Sequence, residues 1–365
     1  MWIWINCYKI NKKGEVMNRK YLDKLFKEKK IDALVSEAPQ TRLWYSKVQT
    51  SDGYIVIEKN KAYLFVDGRY IEYARNNAKN VEVILLQAGT LKEFFDKKAY
   101  KTVGLEKDYL NYQVYENLKN LIKPKKIEWV LGQELRILKS AEENEIMQKT
   151  IDISLAAYKE LMTWVQPGMT EKEVAAYLNY LMKKHGSDKE SFDEIVATGP
   201  SSAEPHHHPT DRKLKEGDLL KIDFGALYKG YSADITRTCI LGGDKKANDP
   251  KQLEILQIVM EAAKAGRDAV RPGIKASEID KICRDYITKK GYGKYFVHST
   301  GHGLGIDVHE LPNVRSTSDY ILEPGMIITV EPGIYIEGLG GARNEDDVLV
   351  TEKGRYVFSR PEEKS

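Results

Sequence analysis

The segments KIDFGALYKGYSADITRT (221–238) and ITVEPGIYIEGLGGARNEDD (328–347) decide the fold. Each begins with an apolar, strand-like run that ends at a carboxylate, continues through a glycine-containing turn and reaches a second carboxylate. The four acids are Asp223, Asp234, Glu331 and Glu345. Because a carboxylate buried on an apolar strand is strongly unfavourable without a partner, the pattern indicates a shared cation site.

The second half of this region repeats the first. LKEGDLLKIDFGA (214–226) aligns with LEPGMIITVEPGI (322–334) at an offset of 108 residues. A Pro-Gly pair recurs from 167–168 to 272–273, an offset of 105 residues, and a helix capped from Ser277 is expected after the second pair. Offsets that stay nearly constant across helix starts, strands and acids predict an internal duplication, with two α+β halves that share one site.

A histidine between glycines, His302 in STGHGLG (299–305), adds one nitrogen ligand to the four carboxylates. This hard, oxygen-rich set suits two divalent cations bridged by carboxylates. Four negative ligands would also neutralise the charge of two divalent ions. Two such ions about 3.5–4 Å apart can clamp a hydroxide and polarise a carbonyl, which is the chemistry of hydrolases such as aminopeptidases.

The bulk composition excludes several classes of protein. The 365 residues are enough for two domains that each bury a core. The net charge of +3 is small and the charges are interspersed, so we expect neither nucleic acid nor a membrane as a partner. The cysteines are few and far apart, which indicates a reducing, cytoplasmic location and no disulfide framework.

Two domains are predicted from the change in pattern along the chain. Strand-like and helical runs alternate over residues 17–132, which predicts a small α/β domain. From residue 133 to 365 we expect the duplicated α+β domain. It opens with SAEE (140–143), which has capping-box spacing and begins a long helix to about Trp164; TEKE (170–173) begins the next helix.

Residues 1–16 are expected to be a start-site extension. The stretch Lys12–Glu15 can be encoded by a purine-rich sequence that reads like a ribosome-binding site just before Met17. The apolar start of the chain has no basic segment before it and no small-residue cleavage site after it, so it does not have the features of a signal peptide.

Five segments together resemble the pita-bread metallopeptidases, in the proline-specific branch that contains aminopeptidase P and prolidase. The segments are ATGPSSAEPHHHPT (197–210), LKIDFGALYKGYSADITRT (220–238), HSTGHGLGIDVHELP (298–312), ITVEPGIY (328–335) and GGARNEDDVLVT (340–351). The resemblance covers about residues 135–358, and residues 17–130 look like the creatinase-type domain of this branch. It implies an α+β fold: a pita-bread catalytic domain preceded by a small α/β creatinase-type N-terminal domain.

The resemblance implies a role for each metal-ligand residue. Asp223 would be a terminal ligand of one metal, and Asp234 and Glu345 would bridge both metals. His302 and Glu331 would complete the other metal. Glu331 would also act as general base on the attacking water.

The resemblance also implies residues that contact the substrate. His298 and His309 would hydrogen-bond the tetrahedral intermediate or the leaving amine, His206 would bind the substrate, and Arg343 would help to organise the site. Asn344 stands where the family usually has an aliphatic residue. This change leaves the expected metal ligands intact.

The implied activity is removal of the N-terminal residue from peptides with proline in the second position, through a hydroxide held by two divalent metals. Prolidase, which accepts only Xaa-Pro dipeptides, is the first alternative, and a non-catalytic peptide-binding relative is the second. Mn²⁺ fits the oxygen-rich ligands best, while Co²⁺ and Zn²⁺ are compatible with them. The resemblance further implies a homodimer.

Overall fold

The computed structural model describes residues 18–360, so the expected start at Met17 concerns residues outside the described part. Its contacts divide the chain into two compact units between Arg136 and Ile137. The division falls after the short helix Gly132–Leu135, a few residues beyond the predicted boundary at 132/133. Within the described residues, no helix is both long and apolar enough to cross a membrane.

The first unit is an α/β domain built on one six-stranded mixed sheet. Its helices are α1 (Lys20–Lys29), α2 (Pro39–Ser46), α3 (Ile71–Asn77), α4 (Thr90–Lys98), α5 (Tyr112–Ile122) and α6 (Gly132–Leu135). Its strands are β1 (Ala33–Ser36), β2 (Tyr54–Glu58), β3 (Ala62–Val66), β4 (Glu82–Leu85), β5 (Thr102–Glu106) and β6 (Lys126–Val130). The strand order is β4-β3-β2-β1-β5-β6, with antiparallel pairing only from β1 to β3.

The second unit contains four long helices and thirteen strands among the described residues. The helices are α7 (Ala141–Trp164), α8 (Glu171–Lys184), α9 (Pro250–Ala269) and α10 (Ala276–Lys289). The first seven strands are β7 (Lys189–Glu190), β8 (Ile195–Thr198), β9 (Leu219–Phe224), β10 (Ala226–Tyr228), β11 (Tyr231–Ser232), β12 (Ile235–Ile240) and β13 (Gly301–Gly303). The rest are β14 (Glu310–Val314), β15 (Ile327–Val330), β16 (Gly333–Ile336), β17 (Gly340–Arg343), β18 (Asp346–Val350) and β19 (Arg355–Val357).

The starts of α7 and α8 are the predicted capping boxes. The Ser140 hydroxyl accepts from the Glu143 amide, and the Glu143 carboxylate accepts from the Ser140 amide at 2.8 Å. Thr170 and Glu173 make the same reciprocal pair at the start of α8. Each box satisfies backbone amides that have no partner within the helix.

The predicted cap from Ser277 is wrong. Helix α10 already begins at Ala276, and the residue before it, Lys275, provides no side-chain cap. The backbone amide of Ala276 donates instead to the Tyr320 carbonyl at 2.9 Å. A neighbouring segment therefore provides the acceptor for this backbone amide, in place of a capping side chain.

Two antiparallel strand pairs carry the duplicated pattern. β9 pairs with β12, with Asp223 opposite Thr236, and β15 pairs with β18, with Val330 opposite Asp346. A hairpin interrupts each pair: β10–β11 in the first and β16–β17 in the second. The turn of the first hairpin, Lys229-Gly230, has positive φ at both residues, as a two-residue turn of type I′ requires. The predicted repeat thus corresponds to two strand–hairpin–strand units.

The core of the second unit lies between its helices and these sheets. Leu178 on α8 is fully buried in a cluster with Val174, Leu181 and Ile222. Such close packing on both helix and strand faces makes the volume of each side chain important.

Replacing Leu178 with Ala should lower the free energy of unfolding by about 2–5 kcal/mol, because it removes buried methyl groups and leaves a cavity. The exposed Lys183→Ala on the same helix should change stability by no more than about 0.5 kcal/mol. Chemical denaturation followed by circular dichroism measures both. Equal effects of the two substitutions would contradict the assigned core.

Candidate metal centre

The five predicted metal ligands converge on one place in the second unit. Asp223 lies near the end of β9 and Asp234 immediately before β12; Glu331 immediately follows β15 and Glu345 immediately precedes β18. His302 lies in β13, which pairs with β15. The strand–hairpin–strand units therefore deliver two carboxylates each, and β13 brings the imidazole beside them.

The ligand atoms form two overlapping groups. In each group, one atom from every residue lies within 4.8 Å of the others. The groups are Asp223–Asp234–Glu345 and His302–Glu331–Glu345. Two groups that share a carboxylate fit a pair of cations that share a bridging ligand.

A third group of the same kind joins Asp234, His302 and His309. The His302 and His309 rings lie 4.3 Å apart in an edge-to-face arrangement. The sequence predicted a substrate contact for His309, and its exposed side chain lies directly beside the metal-ligand residues.

His302 is oriented for ligation. Its Nδ1 faces the carbonyl oxygen of Gly303 at 3.0 Å, so this nitrogen carries the proton and donates. Nε2 lies 3.3 Å from Glu331 Oε1 and 3.6 Å from Asp234 Oδ2. Ligating histidines generally donate their other nitrogen in this way, which fixes the tautomer and the ring orientation.

Burial and mutual repulsion make the ionised carboxylates unfavourable when no cation is bound. Asp223, Asp234 and Glu345 are only 7%, 5% and 1% exposed. Burial, together with the neighbouring negative charges, raises the pKa of Asp234 and of Glu345 well above the ordinary values. Burial also tends to raise the pKa of Glu331, but the hydrogen bond and charge of His302 outweigh it and lower that pKa to about 2.

Two of the carboxylate oxygens are also buried without a hydrogen-bond donor. They are Asp223 Oδ1 and Glu345 Oε1. Buried acceptors normally have partners, so each of these oxygens needs an explanation. Divalent cations would supply the missing partner, and the donor set fits them.

An arginine connects the ligands to the next layer of side chains. Arg343 donates to Asp223 and, at 2.8 Å, to the hydroxyl of Tyr335. Its Nε donates to Thr236 Oγ1 at 3.0 Å, and Thr236 in turn donates to Glu345 at 2.7 Å. Arg343 was predicted to organise the site; it contacts Asp223 directly and reaches Glu345 through Thr236.

Sequence reasoning missed Tyr335 and Thr236. Both lie inside the quoted motifs, but Thr236 contacts Glu345, 109 positions away, and Tyr335 contacts His298, 37 positions away. The available signal for Thr236 is its place opposite Asp223 in a predicted strand pair. For Tyr335 the signal is the duplicated hairpin that carries it.

His298 lies beside this network. Its Nδ1 faces the Ser299 carbonyl at 2.7 Å and must donate, so Nε2 accepts from the Tyr335 hydroxyl at 2.8 Å. Burial lowers the pKa of His298, in agreement with a neutral ring. Burial likewise raises the pKa of Tyr335 to about 12 and keeps its proton in place.

His206 is exposed on the loop that follows the 3₁₀ turn Gly199–Ala203. Its charge contributes to lowering the pKa of both His298 and His309, after burial and other nearby groups. Arg343 links this loop to the ligand residues, because it donates both to the Pro205 carbonyl next to His206 and to Asp223.

The polar Asn344 is accommodated by a charged group of residues behind Glu345. Its amide donates to Asp346 at 3.3 Å, and Arg360 donates to its carbonyl oxygen at 3.2 Å. Asp346 is fully buried and also accepts from Arg237, whose other nitrogen donates to the Glu345 carbonyl. Asn344, in place of the usual aliphatic residue, is therefore hydrogen-bonded, and the backbone of Glu345 next to it is held by Arg237.

Comparison with known families agrees with this geometry. The family described as metallopeptidase family M24 matches residues 145–352, and the creatinase/prolidase N-terminal domain matches residues 19–136. These matches confirm the prediction of a pita-bread catalytic domain that follows a creatinase-type domain along the chain. They also confirm a hydrolase that works with divalent metal ions.

Similar proteins carry both names that the sequence resemblance implied. The Xaa-Pro dipeptidase of Pyrococcus furiosus is 40% identical over 93% of this chain and 98% of its own length. The structure of a Xaa-Pro dipeptidase from Bacillus anthracis superposes with a TM-score of 0.87, at 38% identity over 93% of this chain and 96% of that one. The X-Pro aminopeptidase structure from Thermotoga maritima gives 0.84, at 33% identity over 90% and 96%. From these matches and the convergent ligands, the chain belongs to metallopeptidase family M24.

Proposed function

We propose that the protein is a Xaa-Pro aminopeptidase, which removes the N-terminal residue from peptides with proline in the second position. The observation that carries the proposal is the convergence of five ligand-type side chains into two overlapping groups, with the exposed His309 beside His302. The similar proteins supply the specificity for proline, since their names are those of Xaa-Pro peptidases. The oxygen-rich ligands favour two Mn²⁺ ions.

Each ligand has a distinct place in this proposal. Asp223 would hold one ion, His302 and Glu331 would hold the other, and Asp234 and Glu345 would serve both. Divalent ions bound there would polarise the scissile carbonyl and lower the pKa of a water molecule toward neutrality.

Glu331 acts as the general base. An ionised Glu331 can accept a proton as water attacks the carbonyl carbon. His302 donates no proton in this step, because its Nδ1 proton is held by the Gly303 carbonyl. Arg343 keeps Asp223 in place and is balanced by that charge.

The leaving group is a proline nitrogen, and this gives the histidines their role. An Xaa–Pro bond is a tertiary amide without an N–H, and its nitrogen must be protonated when the bond breaks. The exposed His309, beside His302, is placed to donate that proton. His298 can contact the substrate only by exchanging the Tyr335 hydroxyl, because both of its ring nitrogens already have partners. His206 contacts the bound peptide from its loop.

Xaa-Pro dipeptidase is the second candidate, and the names of the Pyrococcus and Bacillus relatives favour it. The two activities share the scissile bond and the metal site. They differ in whether a residue beyond proline is accepted. The homodimer and cytoplasmic location implied by the sequence stay predictions, and light scattering of the purified protein tests the first.

Substrate length separates the candidates. With Mn²⁺ present, an Ala-Pro-Ala tripeptide should be cleaved with a kcat/KM at least about tenfold above that of Ala-Pro, a difference of about 1.4 kcal/mol in the barrier. Ala-Ala-Ala serves as the control without proline and should be cleaved far more slowly. Cleavage of the dipeptide alone would identify a dipeptidase. No cleavage of any peptide would favour the non-catalytic relative.

Replacing Glu331 with Gln should lower kcat by about 10²–10⁴-fold, because the amide cannot accept the proton that a general base removes. The shape of the side chain is kept, so the thermal midpoint should change little. Steady-state kinetics with a Xaa-Pro substrate measure the effect, and Glu352→Gln is the control at an exposed acid on the surface. A kcat equal to that of the wild type would rule out the assigned base.

A further inference from the structure

Three consecutive histidines, His206 to His208, lie in the loop formed by residues 198–210 and have different environments. His206 and His208 are exposed, whereas His207 between them is only 6% exposed. A buried histidine between two exposed ones has a structural reason, and the metal site does not supply it: His207 is absent from the ligand groups formed by the described residues.

His207 is held between two carboxylates. Its Nε2 lies 2.8 Å from Glu171 Oε2, and its Nδ1 lies 2.7 Å from Glu204 Oε2. Each nitrogen faces a carboxylate oxygen, so both must donate and the ring is an imidazolium. Burial alone lowers the pKa of His207, but the hydrogen bonds to Glu204 and Glu171 outweigh it and raise the pKa.

Glu171 accepts hydrogen bonds from both ends of the loop. It is the first residue of α8 and is fully buried. Its Oε1 accepts from the Thr198 amide at 2.9 Å, where the loop begins. Its Oε2 accepts from the amide and the hydroxyl of Thr210, where the loop ends, at 3.0 and 2.7 Å. The imidazolium of His207 is the positive charge beside this buried carboxylate.

The residues just before His206 are held from the opposite side. The buried amino group of Lys221 donates to the carbonyls of Ser202 and Glu204 at 3.1 and 2.6 Å. Arg343 donates to the carbonyl of Pro205 at 3.2 Å, while its other nitrogen contacts the ligand Asp223. The backbone before His206 is therefore tied to the strands that carry the proposed metal ligands, and the backbone after it is tied to α8 through Glu171.

We propose that His207 and Glu171 are positioning residues, whose buried ion pair fixes the loop so that His206 is held in place to contact the peptide. The inference rests on the proposed function, because it takes His206 to contact the substrate. An exposed side chain on a free loop would lose entropy on binding, and a misplacement of about 1 Å can cost about 10²-fold in rate. The ion pair supplies that order before the peptide binds.

A double-mutant cycle tests the proposal. His207→Ala should raise KM for a Xaa-Pro substrate about tenfold with a smaller change in kcat, and His206→Ala should raise it at least as much. In the His206→Ala background, His207→Ala should add little, because the two residues act through one contact. His208→Ala, the neighbouring exposed histidine, should behave like the wild type. His207→Gln can still donate to Glu171 and should restore part of the loss.

A second readout is independent of catalysis. Hydrogen–deuterium exchange of residues 198–210 should be faster in His207→Ala than in the wild type or in His208→Ala, while exchange in α9 should be unchanged. This comparison also shows that the variant is folded.

Several results would overturn the proposal. They are unchanged exchange in the loop, an unchanged KM in His207→Ala, or losses that multiply fully in the double variant. A His206→Ala variant with wild-type KM would remove the role of His206 and the inference with it. An inactive wild type would contradict the proposed function instead, and the exchange measurement would still decide whether His207 orders the loop.

Discussion

The central constraint on this structure is the mutual repulsion of its buried carboxylates, which must be compensated. Asp223, Asp234 and Glu345 lie within reach of one ion, almost completely excluded from water. Such a group is unfavourable when it is ionised and uncompensated, as the raised pKa values of Asp234 and Glu345 express. A fold that brings these acids together requires positive charge at their centre. Divalent cations are the species that the geometry and the M24 family both imply.

The rest of the site supports this arrangement. Two strand–hairpin–strand units place the acids at the ends of paired strands, where the backbone is fixed by the ladder. Arg343 joins Asp223 to Tyr335 and Thr236, and Arg237 holds the backbone of Glu345. Through Pro205, the same Arg343 reaches the loop of His206. The proposed metal ligands and the proposed substrate contact thus share one hydrogen-bonded frame, which is the condition for a well-positioned active site.

The features that could be predicted from sequence are local ones. The capping boxes at Ser140 and Thr170 and the turn at Lys229-Gly230 are encoded within a few residues. The duplication and the family motifs added the five convergent ligands, although each lies in a different segment. The contacts of Tyr335 with His298, of Thr236 with Glu345 and of His207 with Glu171 could not be read in the same way, because these partners come from other elements. The prediction of the start of α10 was wrong for the same reason, since the Tyr320 carbonyl takes the place of a side-chain cap.

Local motifs also do not distinguish an aminopeptidase from a dipeptidase, because similar proteins carry both of these names. The central claim, that the carboxylate cluster is a site for two metals, is tested most directly by counting the ions. Purified protein equilibrated with Mn²⁺ and dialysed should contain two manganese ions per chain by elemental analysis. Asp234→Asn, which changes a proposed bridging ligand, should contain fewer. A wild-type protein that binds no ion, or only one at saturating Mn²⁺, would contradict the account.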